Sequence, residues 1–347
     1  TSASEQTQRS SDTLLPGLTE LERVHVVQRQ GADVVLSHEA LSQIVKTTAS
    51  GESQHHLAAE LLERPDATAF SLEQRAWLAL SSGKTTLMAM HVPAACERGL
   101  KAGAISQVAR WYMEWLPYVK GEERHTITLQ LVELYQALGE YEKSVSILQS
   151  VLSDHAVSTE RKAHARLMLG RVKAAQGDFA ASLEELEAMG LPLGTSDRSL
   201  WFKERAKAYL NLGNYTQALH VTEEGLACTG SDDPACIELL TSSGMAHEYL
   251  GQPDQAAHCY ERALGLAQRH DRKADEANVL NYMAIAKHRS GDFNAAYELY
   301  ASSLKLARQL EDIGSIALFS LNLGVIEVLR GHYAKAEHHY AVAITSA

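Results

Sequence analysis

The sequence predicts an all-α fold, a right-handed superhelix (an α-solenoid) of stacked helix-turn-helix units, and three periodic observations predict it. Glycines recur at Gly139, Gly177, Gly213, Gly251, Gly291 and Gly331, at spacings of 38, 36, 38, 40 and 40 residues. Five residues after each stands a small side chain (Ser144, Ser182, Ala218, Ala256, Ala296 and Ala336), and two residues after five of the six stands an aromatic: Tyr141, Phe179, Tyr215, Phe293 or Tyr333. Seven residues before the glycines stand Val132, Gly170, Ala206, Gly244, Ala284 and Gly324, five of them small. Small residues at facing positions let two helix backbones approach closely, and a large neighbour fills the space beside them. A single hairpin of this kind cannot bury its own apolar stripe, so it must recur and stack.

Taken in order, residues 1–17 are rich in Ser, Thr and Gln and read as a linker or disordered tail. In residues 18–53 a short helix leads into two short strands around Gln30-Gly31-Ala32-Asp33, and a helix follows with Ser37 as its N-cap. Val24, Val26, Val27 and Val34 to Leu36 favour extended backbone, and Gly31 suits a tight turn. Residues 54–121 carry less regular helices, near 70–82, 84–100 and 104–117, with Gly83 and Gly103 at turns and Trp111, Tyr112 and Trp115 as core. Six regular repeats fill 122–347. The best-formed unit is 238–268, two amphipathic helices joined at Gly251-Gln252-Pro253, with Tyr260 beside Gly244 and Ala256. Gly225 interrupts a second helix and is expected to weaken it slightly.

This pattern of small and large positions resembles the tetratricopeptide repeat. Repeats near 40 residues are similar to those of kinesin light chain, of spindle-orientation scaffolds and of the sensor region of the maltose-regulon activator. Farther upstream, Val26, Val27, Arg29 and Gly31, followed by Ser37, His38, Glu39 and Leu41, resemble the wing and following helix start of the winged-helix domain in STAND-type signal-transducing ATPases. His56-Leu57-Ala58 with Leu61-Leu62 resembles that family's next helix. The resemblance covers roughly 18–120 and implies a winged-helix remnant whose His38-Glu39 pair either caps its helix start or contacts an upstream ATPase core. The nucleotide-binding core itself has no counterpart here, so ATP hydrolysis is not implied.

Composition narrows the function. A formal net charge of −11 disfavours binding that relies on neutralising nucleic-acid phosphates. No run of eighteen apolar residues offers a membrane span. Cys96, Cys228, Cys236 and Cys259 lack framework spacing and suit free thiols in a cytoplasmic protein, with Cys228 and Cys236 the pair worth checking. The chain opens on Thr1 rather than Met and stops at Ala347 on a second repeat helix, as expected of a piece of a longer protein.

Several motifs lose their functional reading in context. Ser82-Gly83-Lys84-Thr85-Thr86 looks like a phosphate-binding loop, but Leu78 occupies the position of its first glycine and a helix precedes it. The adjacent pairs His55-His56 and His338-His339 diverge on a helix, and His247, His258 and Cys259 point apart, so no metal is expected. Asp232-Asp233-Pro234 reads as a helix N-cap with Pro at the first helical position. No nucleophile–base–acid set has meaningful spacing, so neither catalytic residues nor a cofactor is expected.

The resemblance to tetratricopeptide arrays implies that the first helix of each pair lines a concave groove where function is expected, at positions about 13, 10, 9, 6 and 3 before the turn glycine. These include Leu167 and Arg171; Lys203, Glu204 and Lys207; Thr241, Met245 and Glu248; Asn278, Asn281, Tyr282 and His288; and Leu321, Asn322, Val325 and Val328. Amides and ammonium groups there suit the main chain and carboxylates of an extended protein segment or peptide. Lys203 and Lys207 only partly match the two-carboxylate clamp of chaperone-binding repeats. The expectation is a non-catalytic sensor arm of a signalling ATPase, with a constitutive scaffold, or an enzyme fragment with a site across the groove, as the alternatives.

Overall fold

A computed structural model describes residues 27–30, 33–36, 51–63, 67, 70–190 and 194–346. Strands β1 (Val27–Gln30) and β2 (Asp33–Leu36) pair antiparallel, with Val27 opposite Leu36 and Gln30 opposite Asp33, as expected from the valine-rich runs. The helices expected on either side, including the Ser37 cap and His38-Glu39, lie outside the described residues. The rest of the described chain is helical and falls into two compact units, the first running to Ile147 and the second starting at Leu148.

The first unit holds α1 (Gly51–Glu63), α2 (Leu72–Ser82), α3 (Thr85–Lys101), α4 (Ile105–Trp115) and α5 (Gly121–Ala137). It also holds the start of α6 (Tyr141–Ser153). Ser71 caps α2 reciprocally: its Oγ accepts from Gln74 N at 3.2 Å, while Gln74 Oε1 accepts from Ser71 N at 2.9 Å. Gly83 and Gly103 end α2 and α3 at φ of +67° and +72°. Trp111, Tyr112 and Trp115 are buried with Leu78, Met88 and Leu131, the core role their spacing predicts. Cys96 is fully enclosed there, and burial pushes its thiol up to about 12, leaving it unreactive.

The second unit contains five helix pairs: α7 (Thr159–Ala175) with α8 (Phe179–Met189), α9 (Thr195–Asn211) with α10 (Tyr215–Cys228), and α11 (Cys236–Tyr249) with α12 (Pro253–Arg269). They continue with α13 (Lys273–Arg289) and α14 (Phe293–Gln309), then α15 (Ile313–Leu329) and α16 (Tyr333–Thr345). Each helix packs on the next, and the first helices α7, α9, α11 and α13 also touch one another in succession. This is an all-α solenoid.

The small-residue pattern has a direct steric cause. A Cβ on Gly244 would sit 2.5 Å from Cε1 of Tyr260, and one on Gly170 would sit 2.9 Å from Cγ of Leu186. Gly324 faces Tyr340 in the same way. The partner always lies nine residues after the turn glycine, so one helix presents a void and the other fills it. Gly225 proves to be another close approach rather than a weak point. A Cβ there would meet Leu239 and Phe202 at 3.0 Å, so the helix entropy lost is exchanged for tight packing.

The turn glycines act through the backbone alone. Gly251 has φ +73° and nothing within 4 Å of where a Cβ would stand. Gly251→Val is therefore expected to cost about 1–2 kcal/mol by conformation only, read as a lower thermal midpoint with native helix content below the transition.

One cap differs from expectation. α11 starts at Cys236, and Asp233 instead closes a turn before it, its Oδ1 accepting from Ala235 N at 2.8 Å. Asp232 is held by Arg269 at 2.9 Å, which keeps its carboxyl below the usual range. Pro234 thus belongs to the turn. The four cysteines are free thiols, with Cys236 Sγ 3.3 Å from the Gly230 carbonyl.

Candidate functional site

Three consecutive first helices, α9, α11 and α13, enclose an open cavity of about 620 Å³. The sequence periodicity brings seven of the expected groove residues to its wall: Lys203, Glu204, Lys207, Thr241, Met245, Asn278 and Tyr282. They converge because residues three, four and seven apart share a helix face, and because successive first helices lie side by side. Leu210, Ile237, Met245 and Val279 supply an apolar floor, and the remaining wall is polar.

The charges are paired from one repeat to the next. Arg171 Nε lies 3.4 Å from Glu204 Oε1, Lys203 Nζ donates to Glu238 Oε1 at 2.5 Å, and Arg289 Nη1 lies 3.8 Å from Glu248 Oε2. Farther along, Asn322 Nδ2 donates to Asn281 Oδ1 at 2.9 Å. Lys207 is different: it is exposed, lines the cavity, and has no carboxylate within ion-pair distance among the described residues. Asp275, on the same wall, is held by Arg272 at 2.8 Å. Burial raises the Tyr282 hydroxyl pKa, helped by the charge of Glu238 and by Tyr249, so it stays a hydrogen-bond donor. Burial also raises the Glu248 carboxyl against the opposing pull of Arg289.

The other expected residues are placed differently. Leu167 is a correction: it is 0% exposed and packs in a core with Leu186, Trp201 and Phe202, so it presents nothing to a groove. The equivalent positions in two later repeats, Thr241 and Asn281, are buried as well, so this position lies inside the array, and Arg171, one turn later, carries the polar contact. Asn281 is buried and committed to Asn322. Thr241 is buried, and its hydroxyl donates to the Ile237 carbonyl at 2.7 Å, which narrows what it can offer a guest. His288 packs edge-on against Phe293 with ring centroids 6.0 Å apart. Leu321, Val325 and Val328 are exposed apolar side chains on α15, away from the cavity.

The structure adds residues that were not among those expected. Glu238 stands 13 before Gly251, a position the spacing rule includes, and it is the counter-ion of Lys203. Asn211 and Asp275 lie beyond the rule, two residues before Gly213 and sixteen before Gly291, where the outer helix turns close the cavity. Their alternation of amide and carboxylate was visible, but which helix end leans over the cavity is a tertiary matter.

The false leads resolve into local contacts. Lys84 Nζ pairs with Glu63 at 2.7 Å, Ser82 Oγ accepts from Lys84 N and donates to the Ala79 carbonyl, and Gly83 is a left-handed helix stop. The lysine and its own amide are thus occupied. Among the described residues no helix is long and apolar enough to cross a membrane.

Residues 129–197 and residues 237–270 each match the tetratricopeptide repeat family. No curated protein matches the sequence. Among solved structures, the apo form of RapI is similar over 73% of this chain and 94% of its own, at 11% identity and a TM-score of 0.56. The Rap conjugation gene regulator of the plasmid pLS20, in complex with the Phr* peptide, is similar over 89% of this chain and 92% of its own, at 12% identity and a TM-score of 0.52. A signal-transduction ATPase with numerous domains and a tetratricopeptide repeat sensor, from Pyrococcus horikoshii, is covered over 57% of its length by 94% of this chain, at 14% identity and a TM-score of 0.49.

Proposed function

We propose that this chain, which carries tetratricopeptide repeats, is a non-catalytic arm that binds an extended segment of a protein partner in the cavity between α9, α11 and α13. The observation that carries the reading is the cavity itself. Three repeats contribute in succession to one trough whose wall alternates amides, hydroxyls and charges over an apolar floor. An extended chain offers carbonyls and N–H groups along its length together with side chains on alternate sides, and such a wall answers both. A regulator of the same fold in complex with its Phr* peptide supports the reading.

Lys207 gives the site its sign. With Lys203 and Arg171 already engaged by Glu238 and Glu204, Lys207 is the cation left for a carboxylate of the guest. Panning a random-peptide display library against the chain, then measuring the recovered peptides, tests this. Lys207→Glu is expected to weaken binding about tenfold, the usual scale for reversing an interface charge. The side chain is exposed, so the thermal midpoint should stay nearly unchanged. Peptides that bind both proteins equally would remove the cavity from the function.

The finer reading is a sensor arm of a STAND-type ATPase, with residues 18–53 as a winged-helix remnant against an upstream core. It rests on Val26, Val27, Arg29, Gly31 and Ser37 to Leu41 in the sequence. A ligand moves such an equilibrium only if it binds one arrangement better than the other. Hydrogen exchange with and without a recovered peptide separates the alternatives. Altered protection within 18–65 is expected of a sensor, whereas protection confined to 160–345 describes a constitutive scaffold.

A further inference from the structure

We propose a second binding site, on the second-helix layer of the last two repeats, that takes a small organic anion with an apolar body. The cavity there measures about 460 Å³ and lies between α14, α15 and α16. Its floor is apolar, made by Leu304 and Leu323, both buried, with Ala301 and the Tyr297 ring beside them. One face of that ring is already covered by the Arg330 guanidinium, 4.5 Å from its centroid. The rim is basic, with Lys305, Arg308 and His339 lining the cavity and no carboxylate among the lining residues.

Repetition shows that this rim is not a property of the scaffold. With Gly251 aligned on Gly291, the residues Tyr297, Ala301, Lys305 and Arg308 fall on Ala257, Glu261, Gly265 and Gln268. The earlier repeat therefore has neither the cations nor the ring, and its nearby Arg269 is held by Asp232 at 2.9 Å. Lys305 and Arg308 have no carboxylate within ion-pair distance among the described residues. His339 falls on Leu299 and Cys259, positions that otherwise hold an aliphatic or thiol group packed against the core.

The imidazole has an unmet need. Its Nδ1 is buried and has no hydrogen-bond partner. Glu327, the one carboxylate acting on it, is engaged through Oε2 by His332 Nδ1 at 2.7 Å and by Arg330 at 3.6 Å, while its Oε1 is likewise buried without a hydrogen-bond partner. Burial, with His338, Arg308 and Lys335 nearby, holds the His339 pKa below its ordinary value. An anion seated at the rim supplies a counter-charge for Lys305 and Arg308, and an acceptor for the His339 ring in the tautomer that carries its proton on the nitrogen turned to the cavity. A ring or short alkyl body would cover Leu304 and Leu323. Carboxylates and phosphate monoesters share this chemistry.

Phenyl phosphate is a suitable probe, followed through the His339 ring resonances by NMR, with inorganic phosphate and phenol as its two halves. Saturable shifts are expected with phenyl phosphate, and binding by each half alone about tenfold weaker. Arg308→Glu and, separately, Lys305→Glu should each weaken phenyl phosphate binding about tenfold. Both side chains are exposed, so circular dichroism should be native. Lys207→Glu, in the other cavity, should change nothing. The proposal is overturned by the absence of saturable shifts, by shifts that survive both charge reversals, or by inorganic phosphate binding as well as phenyl phosphate.

Discussion

Gly244→Arg opens the middle of the array, with an expected loss of about 3–5 kcal/mol from overpacking and an unpaired buried charge. The position has no space for even the first carbon, because a Cβ would stand 2.5 Å from Cε1 and 2.8 Å from Cδ1 of Tyr260. The ring cannot yield, since Tyr260 is 2% exposed and packed by Ile237, Ala263 and Leu266. In a solenoid each repeat depends on its neighbours, so damage should spread from the middle outward. Hydrogen exchange should therefore speed first in α11 and α12, then in the helices packed on them. Gly244→Ala is the milder version, expected to cost about 1–3 kcal/mol. A Gly244→Arg protein that melts like the parent would mean that these two helices do not cross where described.

The complementary loss comes from Tyr300→Ala, expected to cost about 3–5 kcal/mol by leaving a cavity. Tyr300 is 2% exposed and sits in one cluster with Ala284, Ala296, Leu304 and Phe319, so a truncated side chain leaves space its neighbours cannot close. Burial pushes its hydroxyl up to about 12, so no charge change complicates the comparison near neutral pH. Urea unfolding followed by far-ultraviolet circular dichroism measures it, with Tyr300→Leu falling between parent and Ala. Equal midpoints for all three would place Tyr300 on the surface.

Most of this architecture was legible because sterics and chain conformation both leave marks in the sequence. A left-handed turn selects glycine, as at Gly213 and Gly331, and a backbone crossing selects glycine or alanine, as at Gly244 and Ala284. Seven cavity residues were likewise found by counting back from the turns. Counting failed where a counted position turns inward: Leu167 obeys the spacing yet is core against Trp201 and Phe202, and Thr241 and Asn281 at the equivalent positions are buried too. It failed again at Asp232, whose role is set by Arg269, 37 residues away, rather than by the adjacent helix start. The second cavity had no periodic signature, since Lys305, Arg308 and His339 stand out only against the aligned repeats.

The groove contacts Arg171–Glu204, Lys203–Glu238, Arg289–Glu248 and Asn322–Asn281 each join one hairpin to the following one. They act as stitches along a seam whose backing is apolar, and the guest proposed above would enter on the stitched side. A visiting carboxylate that draws Lys203 away from Glu238 loosens one stitch without touching the backing, and dissolved salt does the same to its exposed members. In the binding mode proposed above, a bound guest would therefore act on the coupling of one hairpin to the next at the place where it sits.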